Sequence, residues 1–473
     1  MPRSKRLWLL VLGFAALHLV LAGLLPLAED EAYYQLWATA PSAGYYDHPP
    51  MVAWAIATGQ MLLGTGPLGV RLASVLAGAL VTLLTWRIAW LFSRDDDVAF
   101  RAALWGKVML PVAAFGFAAT PDAFSVLFWT AATWGMAEAL VGRRNAMWLA
   151  AGLFAGLGVL AKFTNLFFGV GAVLWLLATR KGRASLARWQ VWAGALAGLA
   201  VLVPFALWNR AEGWIGLERQ FGRIGAEPVF SAADMAMFWL SLILYVTPLL
   251  AWLALRALAS GRVPALLIWL TAPAFLYLAF HATRAAAGGQ WLLPIFPTFA
   301  VMAALASGRG FAARWAAPSA LALAGLIMVV GFWPGRVLIP GHNPFTQGRG
   351  WPDVVAEIRT RADQAGATWI ATDAYGLTGQ LHHYLGDDIP VWSLIQPERY
   401  LFRGPFPAGL CTAPGLFISR SDFPAGVPYA TDSIAGPDIL RREGDVVLMR
   451  YFTATISGPN RASATGCPQL ADG

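Results

Sequence analysis

Acidic, cationic and tyrosyl side chains gather at a few corners of this chain, in types that could move a proton and hold an anion. The densest corner reads Glu29-Asp30-Glu31-Ala32-Tyr33-Tyr34, then Gly44-Tyr45-Tyr46-Asp47-His48-Pro49-Pro50. Thr120-Pro121-Asp122 and Leu160-Ala161-Lys162-Phe163-Thr164 are two more, each held between apolar runs. Each has a plainer explanation: acids favour a helix start, Pro121 opens a helix well, and a lysine stem can snorkel along apolar surface. Together they weigh more, because an ionised group beside lipid is expensive and is usually functional or paired. Carboxylates with a lysine suit a reaction that takes a proton from a hydroxyl and releases a phosphate.

The elements that must position these groups are membrane helices. Of 473 residues, 58% are hydrophobic and 13% charged, whereas a soluble domain carries roughly 25% charge. The formal net charge of +8 sits in short runs between apolar spans, so it reads as topology-setting charge and not as a nucleic-acid face. At ~20 residues per crossing, eleven spans are expected, near residues 7–25, 69–93, 99–118, 123–141, 146–161, 165–179, 191–209, 236–255, 264–280, 291–306 and 316–333. The first is read as a retained helix, since no cleavage site follows it. Met51 to Gly64 is too short to cross and reads as a surface helix.

The basic loops agree with this count. Arg3, Lys5 and Arg6 put the start in the cytoplasm. Arg94, then Arg143 with Arg144, then the run Arg180 to Arg188, then Arg256 with Arg262, then Arg309 with Arg314 all fall on that same side. Asp30 to Pro50, Asp122, Lys162, the loop Arg210 to Asp234 and the tail then share the opposite, outer side, which in a bacterium is the periplasm.

After Trp333, proline, glycine and charge rise. Trp351 to Ala365 has helical spacing, and Thr368 to Thr372, Val391 to Leu394, Gly415 to Ser419 and Val446 to Tyr451 read as short buried strands. The expected fold is therefore an all-α polytopic membrane domain over residues 1–335 and a small α/β domain over 336–473. Cys411 and Cys467, both in that tail, are too few for a metal cage. A disulfide between them and two free thiols are both open.

The ordered set Asp30-Glu31-Ala-Tyr-Tyr, Tyr45-Tyr46-Asp47-His48-Pro49-Pro50, Thr120-Pro121-Asp122-Ala, Leu160-Ala161-Lys162-Phe163-Thr164 and Trp291-Leu-Leu-Pro294-Ile-Phe-Pro297 resembles the bacterial integral-membrane glycosyltransferases. These are the protein O-mannosyltransferases and the lipid A aminoarabinose transferases. The resemblance covers most of the membrane part and implies a GT-C architecture, with surface helices in a long first outer loop. It implies inverting transfer of a sugar from a polyprenyl-phosphate carrier to an acceptor. Asp30 matches the family's catalytic aspartate, the general base. Asp122 matches its second aspartate, which would orient the acceptor or support Asp30, and Lys162 matches a lysine facing the donor phosphate. Glu31, Tyr34, Tyr46 and Asp47 fall in the loop expected to meet the acceptor.

Where some relatives carry Glu-Lys, this chain has Asp47-His48. His48 can offer phosphate an N–H, with full charge only when protonated. Asp47 and His48 would give two ligands toward a divalent metal, without a complete site, and no organic cofactor is indicated. Arg219 and Arg223 have the spacing of a solvated helix, yet the resemblance sets their loop toward the donor, where guanidinium forks suit phosphate. Arg284, in the Ala- and Gly-rich loop His281 to Gln290, is a further donor-side candidate.

The expected partners are a polyprenyl-phosphate sugar, a lipid, glycan or protein acceptor, and the bilayer of the bacterial inner membrane. A polytopic transporter or flippase is the alternative. Transporters collect their polar groups near the midplane, whereas here these groups cluster at one interface. The residues name neither the sugar nor the acceptor.

Overall fold

The computed structural model describes residues 3–222, 230–333, 335–339, 341–423, 427 and 433–456. In chain order the helices are α1 (Arg3–Leu24), α2 (Glu29–Ala38), α3 (Met51–Leu63), α4 (Pro67–Ser93), α5 (Asp96–Val108), α6 (Leu110–Phe115) and α7 (Pro121–Leu140). Next come α8 (Met147–Ala161), α9 (Leu166–Ala178), α10 (Arg180–Leu186), α11 (Trp189–Ala211), α12 (Ile215–Phe221) and α13 (Ala232–Val246). The series ends with α14 (Pro248–Ala259), α15 (Ala265–His281), α16 (Phe296–Ala306), α17 (Phe311–Gly331), α18 (Trp351–Ala365) and α19 (Tyr375–Leu385). Five strands lie in the tail: β1 (Trp369–Thr372), β2 (Val391–Ser393), β3 (Gly415–Ser419), β4 (Ser433–Glu443) and β5 (Val446–Ile456). The chain divides into two compact units. Met1–Ala22, His48–Ala55 and Arg71–Ile327 make the first; Gly23–Asp47, Ile56–Val70 and Met328–Gly473 make the second.

The first unit is helical. Among the described residues, five helical segments are long and apolar enough to cross a membrane: Lys5–Leu24, Pro67–Ser93, Trp189–Ala211, Gly289–Ala306 and Phe311–Gly331. Two bent pairs, bent by 99° and 95°, raise the number to seven if each is one span. Two expected spans are interrupted for local reasons. Residues 99–118 break at Met109, just before Pro111, whose ring lacks an N–H. Residues 236–255 break at Thr247, held at φ 74 before Pro248.

Within lipid, helices associate by close packing. Here α8 and α11 do so through small residues: a Cβ on Gly152 would lie 1.9 Å from the Gly194 carbonyl, and one on Gly156 would lie 2.3 Å from that of Gly198. Two glycine pairs at four-residue spacing thus let the two backbones touch. An apolar cavity of about 360 Å³, lined in part by Gly152, Gly156, Leu166, Leu199 and Leu202, opens along this seam and reaches Asn165.

The second unit carries a five-stranded sheet ordered β2-β1-β3-β5-β4. β1 pairs in parallel with β2 and β3, while β5 runs antiparallel to β3 and β4. Ile370, Leu416 and Ile418 face one core with Trp351, Ile358 and Leu381. Trp369, Ala371 and Phe417 face another. Burial on both faces explains why these strands read as continuous apolar runs. β4 was not expected from the sequence. Gly436 and Pro437 argue against a strand, and a register shift between Gly436 and Ile439 accommodates them. The helix α2 belongs to this unit and meets α19 very closely, since a Cβ on Gly379 would stand 2.6 Å from the Tyr33 nitrogen.

Candidate active site

Within the second unit, four acids expected to matter are sorted by their partners. Glu29 is buried and lies 2.6 Å from Arg420 and 3.5 Å from His342. Glu31 is buried and its Oε2 accepts the Ala28 N–H at 2.9 Å, closing the first turn of α2 in the manner of a capping box. Asp47 is ion-paired with Arg399 and accepts the Tyr33 hydroxyl at 3.0 Å. Asp30 is the acid that reaches the surface. Among the described residues it takes no cation, and its Oδ1 accepts the Tyr375 hydroxyl at 3.0 Å.

This sorting has an electrostatic consequence. Asp30 is exposed, yet it sits in a recess dense with protein atoms. Desolvation raises its pKa above the ordinary carboxylate value; the Tyr375 hydrogen bond opposes the rise, and the charges of Glu29, Glu31 and Asp47 add to it. Tyr375 is itself held above its ordinary value, by desolvation first and by Asp30 second, and so remains a donor. A carboxylate with raised pKa, open to solvent and aimed by one hydroxyl, is suited to general-base work.

Arg399 supports the arrangement. It is buried, its guanidinium carbon lies 4.8 Å from the Tyr375 ring centre and 5.6 Å from that of Tyr46, and its carbonyl accepts from Tyr33 at 3.3 Å. Burial works against its charge, and Asp47 with Tyr33 more than offsets that, so its pKa is raised. Tyr34 is buried among aromatic rings, its ring centre 6.0 Å from that of Tyr33 and 4.9 Å from that of Trp37. Sequence reasoning missed Tyr375, Arg399, Arg420 and His342. All four stand in the tail, more than 300 positions from α2, with no local pattern that marks them.

Within the first unit, the structure brings Asp122 and Lys162 together. Lys162 Nζ donates to Asp122 Oδ1 at 2.7 Å, and both side chains are largely enclosed, 14% and 22% exposed. The elements aim them: Asp122 stands in the first turn of α7 behind Pro121, and Lys162 caps the C-terminal end of α8, its N–H bonded to the Gly158 carbonyl. Each charge complements the dipole of its own helix end. Behind them, Ser125 and Asn165 exchange hydrogen bonds of 2.7 and 3.2 Å, which ties the start of α7 to the turn after Lys162.

Phe163, next to Lys162, meets Phe221 of α12 at 5.6 Å, so the half-buried Arg219 is carried on a helix packed beside this corner. Arg284 is exposed on the turn after α15, its guanidinium carbon 5.6 Å from the Phe280 ring centre. His48 precedes α3 and counts with the first unit, whereas Asp47 counts with the second. Arg223 lies outside the described residues, as does Cys467 of the expected cysteine pair. Among the described residues, no group of three or more His, Cys, Asp or Glu is placed to hold a metal.

Comparison with known proteins gives these corners a context. Residues 47–208 match the family model of dolichyl-phosphate-mannose-protein mannosyltransferases. The chain is 26% identical over 418 residues to the lipid A galacturonosyltransferase RgtD of Rhizobium johnstonii, covering 82% of this chain and 83% of the relative. It is 29% identical over 411 residues to an undecaprenyl phosphate-aminodeoxyarabinose arabinosyl transferase of Sodalis glossinidius, covering 75% and 69%. Its fold resembles the crystal structure of ArnT from Cupriavidus metallidurans bound to undecaprenyl phosphate, with a TM-score of 0.64 at 14% identity, over 98% of this chain and 99% of that one. By sequence over most of its length and by fold over nearly all of it, the chain is similar to the GT-C integral-membrane glycosyltransferases of the protein O-mannosyltransferase and aminoarabinose transferase type.

Proposed function

We propose that this protein transfers a sugar from a polyprenyl-phosphate carrier to a hydroxyl of a lipid acceptor at the periplasmic face of the inner membrane, with inversion at the anomeric carbon. One observation carries the reading: of the four acids at the head of the second unit, Asp30 alone is open and, among the described residues, free of a cation, with its pKa raised. In the proposed step the acceptor oxygen attacks the anomeric carbon while its proton passes to the Asp30 carboxylate. The bond from that carbon to the carrier oxygen breaks, and its electron pair leaves on the phosphate. Lys162, with Arg219, Arg223, His48 and Arg284 as further donors, offsets charge on the departing phosphate. Asp122 holds Lys162 until the phosphate arrives. The apolar cavity beside Asn165 suits part of an isoprenoid tail.

The same reading keeps eleven crossings, with a cytoplasmic N-terminus, and takes residues 336–473 as an outer domain. The basic loops support it. The lipid A relatives favour a lipid acceptor over a protein one. The test is incubation of the purified protein with a panel of polyprenyl-phosphate sugars and envelope glycolipids, read by mass spectrometry. Release of free carrier together with a glycosylated lipid is expected. Movement of intact carrier lipid across vesicles without sugar transfer would instead support a flippase.

A further inference from the structure

A second cavity in the first unit, of about 460 Å³ and lined by charged groups, is bordered among others by Arg6, Asp97, Phe100, Arg101, Arg309 and Arg314. It is bounded by the first turns of α1, α5 and α17. These three helices therefore begin on one face of the unit. Along the chain, α5 and α6, interrupted at Met109, lie between this cavity and Asp122, and the two share no lining residue.

Its charges do not cancel. Asp95, the other acid of the lining, is occupied as the N-cap of α5, its Oδ1 accepting the N–H groups of Asp97 and Val98 at 2.7 and 3.3 Å. Asp97 pairs with Arg6 at 2.8 Å. Arg101 gives one N–H to the Gly308 carbonyl at 2.9 Å. Among the described residues the Nε atoms of Arg6 and Arg101 are buried without a hydrogen-bond partner. Four guanidinium groups against two carboxylates leave an anion-binding excess. Topology-setting arginines need no cavity; these line one.

The surroundings indicate what kind of anion. Phe100 and Ala313 are part of the lining, and Phe311 and Trp315, flanking Ala313 and Arg314 on α17, are 74% and 49% exposed. A soluble anion has no use for the exposed apolar side chains beside these arginines on α17, whereas a lipid covers them with acyl chains while its phosphate meets the arginines. Basic pockets between helix ends at a membrane face suit anionic headgroups. We propose that this cavity binds the phosphate of an anionic phospholipid from the leaflet in which α1 begins, as a lipid site separate from the donor site.

The experiment uses the full chain, as wild type and as the triple variant Arg101→Gln/Arg309→Gln/Arg314→Gln. Phosphatidylglycerol, phosphatidylcholine and inorganic phosphate are each titrated, with bound lipid read by native mass spectrometry and stability by thermal unfolding. Wild type should retain and be stabilised by phosphatidylglycerol over phosphatidylcholine. The triple variant should bind phosphatidylglycerol at least about tenfold more weakly, as loss of several arginines near a lipid surface implies, and lose the preference. Equal affinity in both proteins overturns the proposal, and so does stabilisation of wild type by inorganic phosphate to the same extent. If the triple variant does not fold, Arg309→Glu on the exposed turn before α17 serves in its place: loss of the preference supports the site, and an unchanged preference overturns it.

Discussion

Asp30 is distinguished by what its neighbours already do. Glu29 meets Arg420 and His342, Glu31 caps its own helix, and Asp47 meets Arg399. Replacing Asp30 by Asn should lower turnover by about 10²–10⁴-fold, the usual worth of a general base, with normal expression; carrier release measured by mass spectrometry checks this. A raised pKa also sets the direction of the pH profile. The base is active when ionised, so activity falls as pH drops through a value above the ordinary carboxylate range. Tyr375 donates to the ionised form and lowers that pKa. Tyr375→Phe should therefore move the acidic limb of kcat/KM to higher pH and reduce kcat. A limb that stays in place would remove Tyr375 from the site.

At the scale of elements, α2 is held by two devices on the tail. The first is the buried Asp47–Arg399 pair. Removing one partner leaves an uncompensated charge at a typical cost of about 3–5 kcal/mol, and Asp47, 14% exposed, places the effect toward the low end. Arg399→Met should lower the thermal midpoint, while Asp47→Asn with Arg399→Met should lower it by less than the sum of the two single changes. The second is the close approach of α19 to α2 at Gly379. Gly379→Val would push the new side chain into the Tyr33 backbone, so lower activity and an earlier unfolding transition are expected. Limited proteolysis of α2 reads the same loosening directly.

At the scale of the molecule, the tail and the first loop after α1 form one compact unit although more than 300 residues separate them. A tail residue, Tyr375, thus touches the acid assigned as the base. Deleting residues 336–473 should abolish transfer even where the remaining helices insert, because Asp30 would lose Tyr375 and the Asp47–Arg399 pair. The eleven-span topology is tested separately by cysteine accessibility. Single cysteines at Ser42 and Asp388 should label from the periplasm, and those at Arg144 and Arg262 only after the inner membrane is permeabilised.

Much of this protein was legible in its sequence for physical reasons that act locally. Long apolar runs fix membrane helices, because a spanning backbone must satisfy its own hydrogen bonds. Pro121 and the acids of α2 mark helix starts, and an isolated Asp122 or Lys162 stands out against lipid. The sequence singled out both of those residues without pairing them, since a contact across 40 positions depends on how α7 packs on α8. Likewise Asp30, Glu31 and Glu29 are alike as a string of acids. They became different only in the fold: Arg420 and His342 of the tail meet Glu29, Glu31 turns back onto the Ala28 N–H, and Asp30 is left facing water. β4 escaped notice because its Gly436 and Pro437 suit a strand only where a bulge absorbs them. Composition and periodicity determined the membrane class and the corners of the site. Tertiary structure decided which acid was left open, because partner choice between distant side chains is written in no local pattern.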